Sequence, residues 1–483
     1  AKTLWLDEVF SLWMARHALP DLLAWLVRID HHPPFYYVLL QGWIGLFGEG
    51  AGALRSLSAL ASTLAIPLYG VGARKIAGAP IGLAATLLLA ISPFQVRYAQ
   101  EARMYGVLML AMAAVFVALA YLLTTEPRAG RWWWRSLWWL LLSVAQAAAM
   151  LTHNTATVLV PLALNGAVGA LWLAHRLGLC GIDLVGIRQP HFIRYWCVSQ
   201  FGALILWSPW ALGFVRQAQV VDGDFWIAAP NMWTVWRTAG NLTFAYLPAW
   251  VWQRDSLTWF AMGLVVLGLW LWRRQSALSL VLLTVWLVPP AVELLASLRR
   301  PIFYDRTLIW TTLPYYLLLA RGMVLPSRVW RGWRRAWLVL SLSIVVTLCA
   351  LGLWGYYADF AKEKWDEVAA HIAARAQPND LILFHASWAA LPFDYYYPDD
   401  APRLLPHGVP ADLFDAGVLE PPMTQQDSAR VKALIEGRDQ AWLVYSHWWY
   451  TDPDELLLRV LGEQMVVAEE RAWPGIRVIR YQR

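Results

Sequence analysis

Polar positions are too sparse along most of this chain to mark one face of a soluble element. Apolar runs recur near 54–74, 80–95, 105–123, 136–152, 154–174, 198–215, 257–272, 277–297, 307–324 and 336–357. A helix needs ~20 predominantly apolar residues to cross a bilayer, so the pattern predicts about ten transmembrane helices. Three stretches depart from it. Residues 7–30 alternate with helical spacing (Val9, Phe10, Leu12, Trp13, then Leu22, Leu23, Trp25, Leu26), which predicts two short amphipathic helices on the membrane surface, broken at Pro20. Phe35 to Phe47 is apolar and aromatic but too short to cross. Residues 358–483 carry shorter periodic segments: helices over 364–376, 428–437 and 453–462, and strands over 380–385, 441–446, 465–471 and 476–481. The expected architecture is a polytopic helical membrane domain over 1–357 and a small α/β domain over 358–483.

Composition agrees: 59% of residues are hydrophobic and 15% charged, where soluble domains carry about 25% charged residues. The 33 tryptophans suit a protein with much bilayer interface to anchor. A formal charge of +6 could suggest nucleic acid, but the basic residues lie in short clusters between apolar runs, as in cytoplasmic loops, which excludes that partner. Those clusters are Arg74-Lys75, Arg128 with Arg131 and Arg135, Arg176 with Arg188 and Arg194, Arg273-Arg274, and Arg321 through Arg335. All fall on one side if every span crosses, making that side cytoplasmic. The remaining polar chemistry is then extracytoplasmic, and a further transmembrane helix before Ala1 is expected. Cys180, Cys197 and Cys349 have neither disulfide-framework nor zinc spacing.

The candidate chemistry concentrates on the extracytoplasmic side. Asp7-Glu8 precedes an amphipathic helix; either acid could serve as a general base toward an acceptor hydroxyl or as a helix N-terminal charge. Asp30-His31-His32-Pro33-Pro34 offers a carboxylate and imidazoles beside a rigid step. Asp30 and His31 could ligate a divalent cation, and the step could equally be a polar turn at the headgroup level. Between two spans, Arg97 and Glu101 are i, i+4 neighbours if helical, while Glu101 and Arg103 would not face each other. Ionisable groups at the lip of a membrane domain are functional by default, although an ordinary surface ion pair fits the spacing too. His153-Asn154 and Arg299-Arg300 with Tyr304-Asp305-Arg306 lie on the same side. Arg306 could reach a lipid phosphate or merely snorkel. No GxGxxG, P-loop or GxSxG occurs in a fitting context, so no nucleotide cofactor is expected and a donor would come from the membrane.

At these residues the chain resembles a known family. Leu-Asp-Glu at 6–8, Asp-His-His-Pro-Pro-Phe-Tyr-Tyr at 30–37, Ala-Leu-Arg at 53–55, Ser-Pro-Phe-Gln-Val-Arg-Tyr-Ala-Gln-Glu-Ala-Arg-Met-Tyr at 92–105, Leu-Thr-His-Asn at 151–154 and Ser-Pro-Trp at 208–210 look like bacterial GT-C glycosyltransferases. Within them the protein O-mannosyltransferase-like group, whose relatives include the lipid A aminoarabinose transferase, looks nearest. The resemblance implies inverting transfer of a mannose-like hexose or related sugar from a polyprenyl-phosphate donor to a lipid, glycan or secreted-protein hydroxyl, at the outer face of a bacterial inner membrane. It implies Asp7 as general base with Glu8 beside it, and Glu101 as a second acidic position. His31, His32, Tyr36, Arg97, Arg103, Tyr105, His153 and Arg306 would serve donor phosphate and sugar. Where aminoarabinose transferases carry a Glu-Lys-Pro step for metal and phosphate, this chain has Asp-His-His. The competing class is a non-catalytic lipid-binding or transporter-like protein of the same fold. A transporter would place its ionisable groups near the bilayer midplane within an inverted repeat.

Overall fold

In hydrocarbon every backbone N–H and C=O must be satisfied within the segment, so the apolar runs have little choice but to be helices. A computed structural model of the chain describes residues 2–126, 132–178, 184, 186–187, 191–223, 227–325, 329–413 and 421–483. Arg128, Arg131, Arg188 and Arg328 of the basic clusters, and Cys180, lie outside the described residues. The chain divides into two compact units: His32–Leu39 with Arg55–Phe360, and Ala1–His31 with Leu40–Leu54 and Ala361–Arg483.

Among the described residues seven helices are long and apolar enough to cross a membrane: Ala51–Ala77, Tyr105–Thr124, Asn154–Arg176, Phe192–Gln219, Arg254–Leu271, Ser276–Ser297 and Arg331–Ala358. Ala79–Ile91 and Pro93–Ala99, bent by 56°, make an eighth if taken as one span. Two of the ten expected runs fall outside this set. Trp132–Met150 is a 19-residue helix whose tryptophans, Arg135 and Gln146 dilute its hydropathy. Residues 307–324 divide into a 3-10 segment, Asp305–Thr311, and a 12-residue helix, Thr312–Met323. Phe35–Phe47 is a short apolar helix, as its length requires.

Apolar residues all round a helix mean burial. Tyr105–Thr124 is the case in point, with 78% of its apolar window inside the protein. Gly106 permits its close approach to Ala51–Ala77: a Cβ there would lie 2.4 Å from the Ser58 carbonyl oxygen, the small-residue contact by which membrane helices pack. Polar side chains stitch other helices together. Gln146 and Gln200 exchange amide hydrogen bonds at 3.0 Å, and Asn165 accepts from the Trp196 indole at 2.8 Å.

The other unit contains a five-stranded sheet of β1 (Leu381–His385), β2 (Leu405–Gly408), β3 (Gln440–Ser446), β4 (Val466–Trp473) and β5 (Ile476–Gln482), in the order β2-β1-β3-β5-β4. β1 runs parallel to β2 and β3, while β5 is antiparallel to β3 and β4. Every residue of β1 is buried, as a central parallel strand covered on both faces should be. Helix Trp365–Ala373 packs on one face against Ile382, Phe384, Trp442 and Val444. Helices Ser428–Ile435 and Leu456–Gly462 cover Leu381, Leu383, Leu443 and Tyr445 on the other.

The N-terminal stretch belongs to this unit. It forms two helices, Leu6–Ala15 and Leu19–Ile29. The break comes before Pro20, because proline with its fixed φ and missing donor suits a helix's first turn. Leu4 N–H donates to the Tyr396 hydroxyl at 2.7 Å, and the Thr3 hydroxyl donates to the Glu363 carbonyl at 2.9 Å.

Candidate functional site

The candidate residues form two constellations, one in each unit. In the helical unit the organising feature is the break between Ala79–Ile91 and Pro93–Ala99. Ser92 caps the second helix, with Pro93 at its start. The Tyr316 hydroxyl donates to the Leu242 carbonyl at 2.7 Å and lies 2.8 Å from Ser92 Oγ, so the break is held from outside. The short helix places Arg97 one turn before Glu101, and Arg97 Nε donates to Glu101 Oε1 at 3.1 Å. The Arg103 backbone is tied on both sides, its N–H bonding to the Glu101 carbonyl at 2.7 Å and its own carbonyl accepting from the Ser58 hydroxyl at 2.8 Å.

Glu101 is fully buried. A buried carboxylate is tolerable only when paired, and Arg97 supplies that charge while its guanidinium lies 4.7 Å from the Phe360 ring centre, 5.0 Å from Tyr98 and 5.5 Å from Tyr246. Arg97 also donates to the Tyr246 hydroxyl. Burial pushes the Tyr246 phenol up to about 12, so it stays protonated. Tyr246 sits at φ 60°, a conformation rare for an aromatic residue.

Tyr105 links this pair to the histidines. Its ring lies 4.8 Å from Tyr98, 5.9 Å from His153 and 6.0 Å from the Arg306 guanidinium, which also covers Tyr304 at 4.8 Å. His32 meets His153 edge-on at 5.2 Å. His153 Nδ1 accepts from the Thr155 N–H at 3.2 Å and faces the Thr155 hydroxyl at 2.9 Å, which leaves the ring proton on Nε2. The His32 carbonyl accepts from Gln217 at 3.0 Å, and Gln217 accepts in turn from Asn154 at 2.9 Å. The structure thus brings together His32, Arg97, Glu101, Tyr105, His153 and Arg306. Tyr36 is buried against Tyr37, 5.7 Å away.

In the other unit Asp7 and Glu8 occupy the first turn of Leu6–Ala15, and they differ. Glu8 is fully buried, ion-paired to Lys362 Nζ at 3.2 Å, with Lys362 also 5.3 Å from the Trp5 ring centre. Asp7 is half-buried. Next to them Glu363 accepts from the Trp365 indole at 2.7 Å and the Leu6 N–H at 3.4 Å. Burial, with repulsion from Asp7, pushes its carboxyl up to about 7. Asp30 is buried and accepts the His31 N–H at 2.7 Å. Among the described residues no group of three or more His, Cys, Asp or Glu is placed to hold a metal ion.

Lys362, Glu363, Tyr246 and Gln217 are members of these constellations that sequence reasoning missed. The adjacent charges Lys362-Glu363, at the junction of the last apolar run and the α/β domain, were the available signal.

Residues 31–183 match the model of the dolichyl-phosphate-mannose-protein mannosyltransferase family. No curated protein sequence matches the chain. Among solved structures, ArnT from Cupriavidus metallidurans in the apo state superposes with a TM-score of 0.64 at 16% identity, over 99% of this chain and 94% of that one. The same protein bound to undecaprenyl phosphate gives 0.57, with the same identity and coverage. The oligosaccharyltransferase of Archaeoglobus fulgidus gives 0.50 at 12% identity, over 86% of this chain and 62% of that one. The chain therefore has the GT-C glycosyltransferase fold, shared along nearly its whole length with ArnT, and carries within it a segment of the mannosyltransferase family pattern.

Proposed function

We propose that this protein is a membrane glycosyltransferase that moves a mannose-like hexose or related sugar from a polyprenyl-phosphate donor to an acceptor hydroxyl, with inversion, on the extracytoplasmic face of a bacterial inner membrane. The observation that carries the reading is the position of the mannosyltransferase match. Residues 31–183 contain His32, Arg97, Glu101, Arg103, Tyr105 and His153, most of them members of the Tyr105 cluster. The relative ArnT, with the same fold, has been crystallised with undecaprenyl phosphate.

In this reading the acceptor oxygen attacks the anomeric carbon as the bond from that carbon to the phosphate oxygen breaks. The polyprenyl phosphate leaves with the electron pair, and Asp7 takes the hydroxyl proton. Arg306 and Arg103 offset the charge gathering on the phosphate, and His153 donates from Nε2. Arg97 holds Glu101 in place. Glu8, neutralised by Lys362, fixes the helix turn on which Asp7 sits.

Asp30 and His31 remain proposed contacts for a divalent cation. A Mg²⁺ ion is held by only one or two carboxylates, with substrate phosphate and water completing its shell, so donor oxygens would complete the set, and no step above passes through a metal. Transfer measured with a chelator, then with Mg²⁺ or Mn²⁺ restored, tests that part. The main reading is tested by the full chain in proteoliposomes with a panel of polyprenyl-phosphate sugars and radiolabelled product detection. Transfer or slow hydrolysis of one donor is expected. Donor binding without turnover across the panel would favour the lipid-binding alternative.

A further inference from the structure

In open α/β sheets ligands meet the C-terminal ends of parallel strands. Here β1 ends at His385, and β3 ends at Ser446, directly before His447. The two histidines have different surroundings. His385 is engaged on both sides of its ring, one nitrogen 3.0 Å from the Val409 carbonyl and the other 2.9 Å from the Thr451 hydroxyl. His447 is held on one side only.

His447 stands at φ 54° between β3 and the short helix Trp448–Thr451. A non-glycine residue kept in the left-handed region carries a conformational cost, and such residues cluster at functional positions. The Ser446 hydroxyl donates to the Gly475 carbonyl at 3.1 Å, so its oxygen is left to accept from His447 Nδ1–H at 2.9 Å. That fixes the tautomer and puts the lone pair on Nε2. Among the described residues Nε2 has no hydrogen-bond partner. Burial pushes the ring down to about 4 against the opposing pull of the Asp7 carboxylate, so it is neutral at pH 7. His385 acts on it in the same direction as burial, and two indoles lie against the ring: Trp388 edge-on at 5.7 Å, and Trp449, 56% exposed, at 5.1 Å.

We propose that His447 and Trp449 form an acceptor subsite for a sugar ring, in which a ring hydroxyl donates to Nε2 and the C–H face of the ring lies on the Trp449 indole. A peptide hydroxyl could use Nε2 but would leave the flat, exposed indole without a purpose. A sugar ring uses both. The assignment of this ring to the acceptor rests on the reading of Asp7 as base, because Asp7 is the carboxylate within electrostatic reach of His447.

The test uses the full chain in detergent, fluorescently labelled, on an array bearing oligosaccharides and Ser/Thr peptides. Retention by oligosaccharides is expected, weakened about tenfold by His447→Ala and by Trp449→Ala, and largely kept by His447→Gln, whose amide oxygen can accept the same bond. Trp449 is exposed, so its substitution should leave the melting temperature unchanged. Three results would overturn the subsite: no oligosaccharide retained, retention indifferent to both alanine substitutions, or retention by peptides alone. The array contains no donor. A chain that holds oligosaccharides through His447 and Trp449 yet transfers no sugar would refute the transferase reading, and with it the ring's role as acceptor, and leave the sugar-binding subsite standing.

Discussion

Glu363 carries a prediction whose sign can be worked out in full. Its carboxyl is raised from 4.5 to about 7, mainly by burial. At 1.36 kcal/mol per pH unit that difference is about 3 kcal/mol. The folded state binds this proton more tightly than the unfolded chain does. Its stabilising effect is therefore complete below pH 4.5, declines as pH rises, and is lost above pH 7. Glu363→Gln is neutral at every pH and keeps an oxygen to accept from the Trp365 indole and the Leu6 N–H. The variant should match the parent near pH 4 and exceed it by up to about 3 kcal/mol at pH 8. Hydrogen exchange at the β1 and β3 amides from pH 4 to 8.5, supported by thermal unfolding, measures the difference. In Asp7→Asn the repulsion is gone, and the transition should move to lower pH. Parallel parent and Glu363→Gln profiles would refute the argument, as would a variant less stable than the parent at pH 8.

Three further outcomes follow from the same geometry. Lys362→Met leaves Glu8 buried without its 3.2 Å partner and should cost about 3–5 kcal/mol by thermal or denaturant unfolding, with most of the loss recovered when Glu8→Gln is added. Arg97→Gln removes the charge paired with Glu101 and should cost about 3 kcal/mol; Arg97→Lys should not restore it, since an ammonium cannot reproduce the planar contacts with Tyr98, Tyr246 and Phe360. Gly106→Ala places a Cβ 2.4 Å from the Ser58 oxygen and should cost about 1–3 kcal/mol, lowering turnover as well because Tyr105 is displaced with the helix.

The membrane helices were legible because hydrocarbon leaves the backbone one local solution, and apolar length reports it. The strands of the α/β domain were legible from their apolar runs, as in Leu381–His385 and Gln440–Ser446. β2 was not: Leu405-Pro406-His407-Gly408 is a four-residue edge strand with neither alternation nor an apolar run. The Arg97–Glu101 pair could be read because an i, i+4 contact is local. Lys362 with Glu8 could not, because it joins residues 354 apart in sequence, and nothing in either segment names the other. The tautomers of His153 and His447 depend on single hydrogen bonds made by Thr155 and Ser446, which no spacing rule anticipates.

The central claim is that Asp7 removes the acceptor proton. It is tested most directly by single-turnover sugar transfer in proteoliposomes, comparing the parent with Asp7→Asn under saturating donor. A general base supplies about 100-fold to 10,000-fold, so the account predicts a loss of that size in the chemical step with donor affinity unchanged. Transfer by Asp7→Asn within a few-fold of the parent would contradict it.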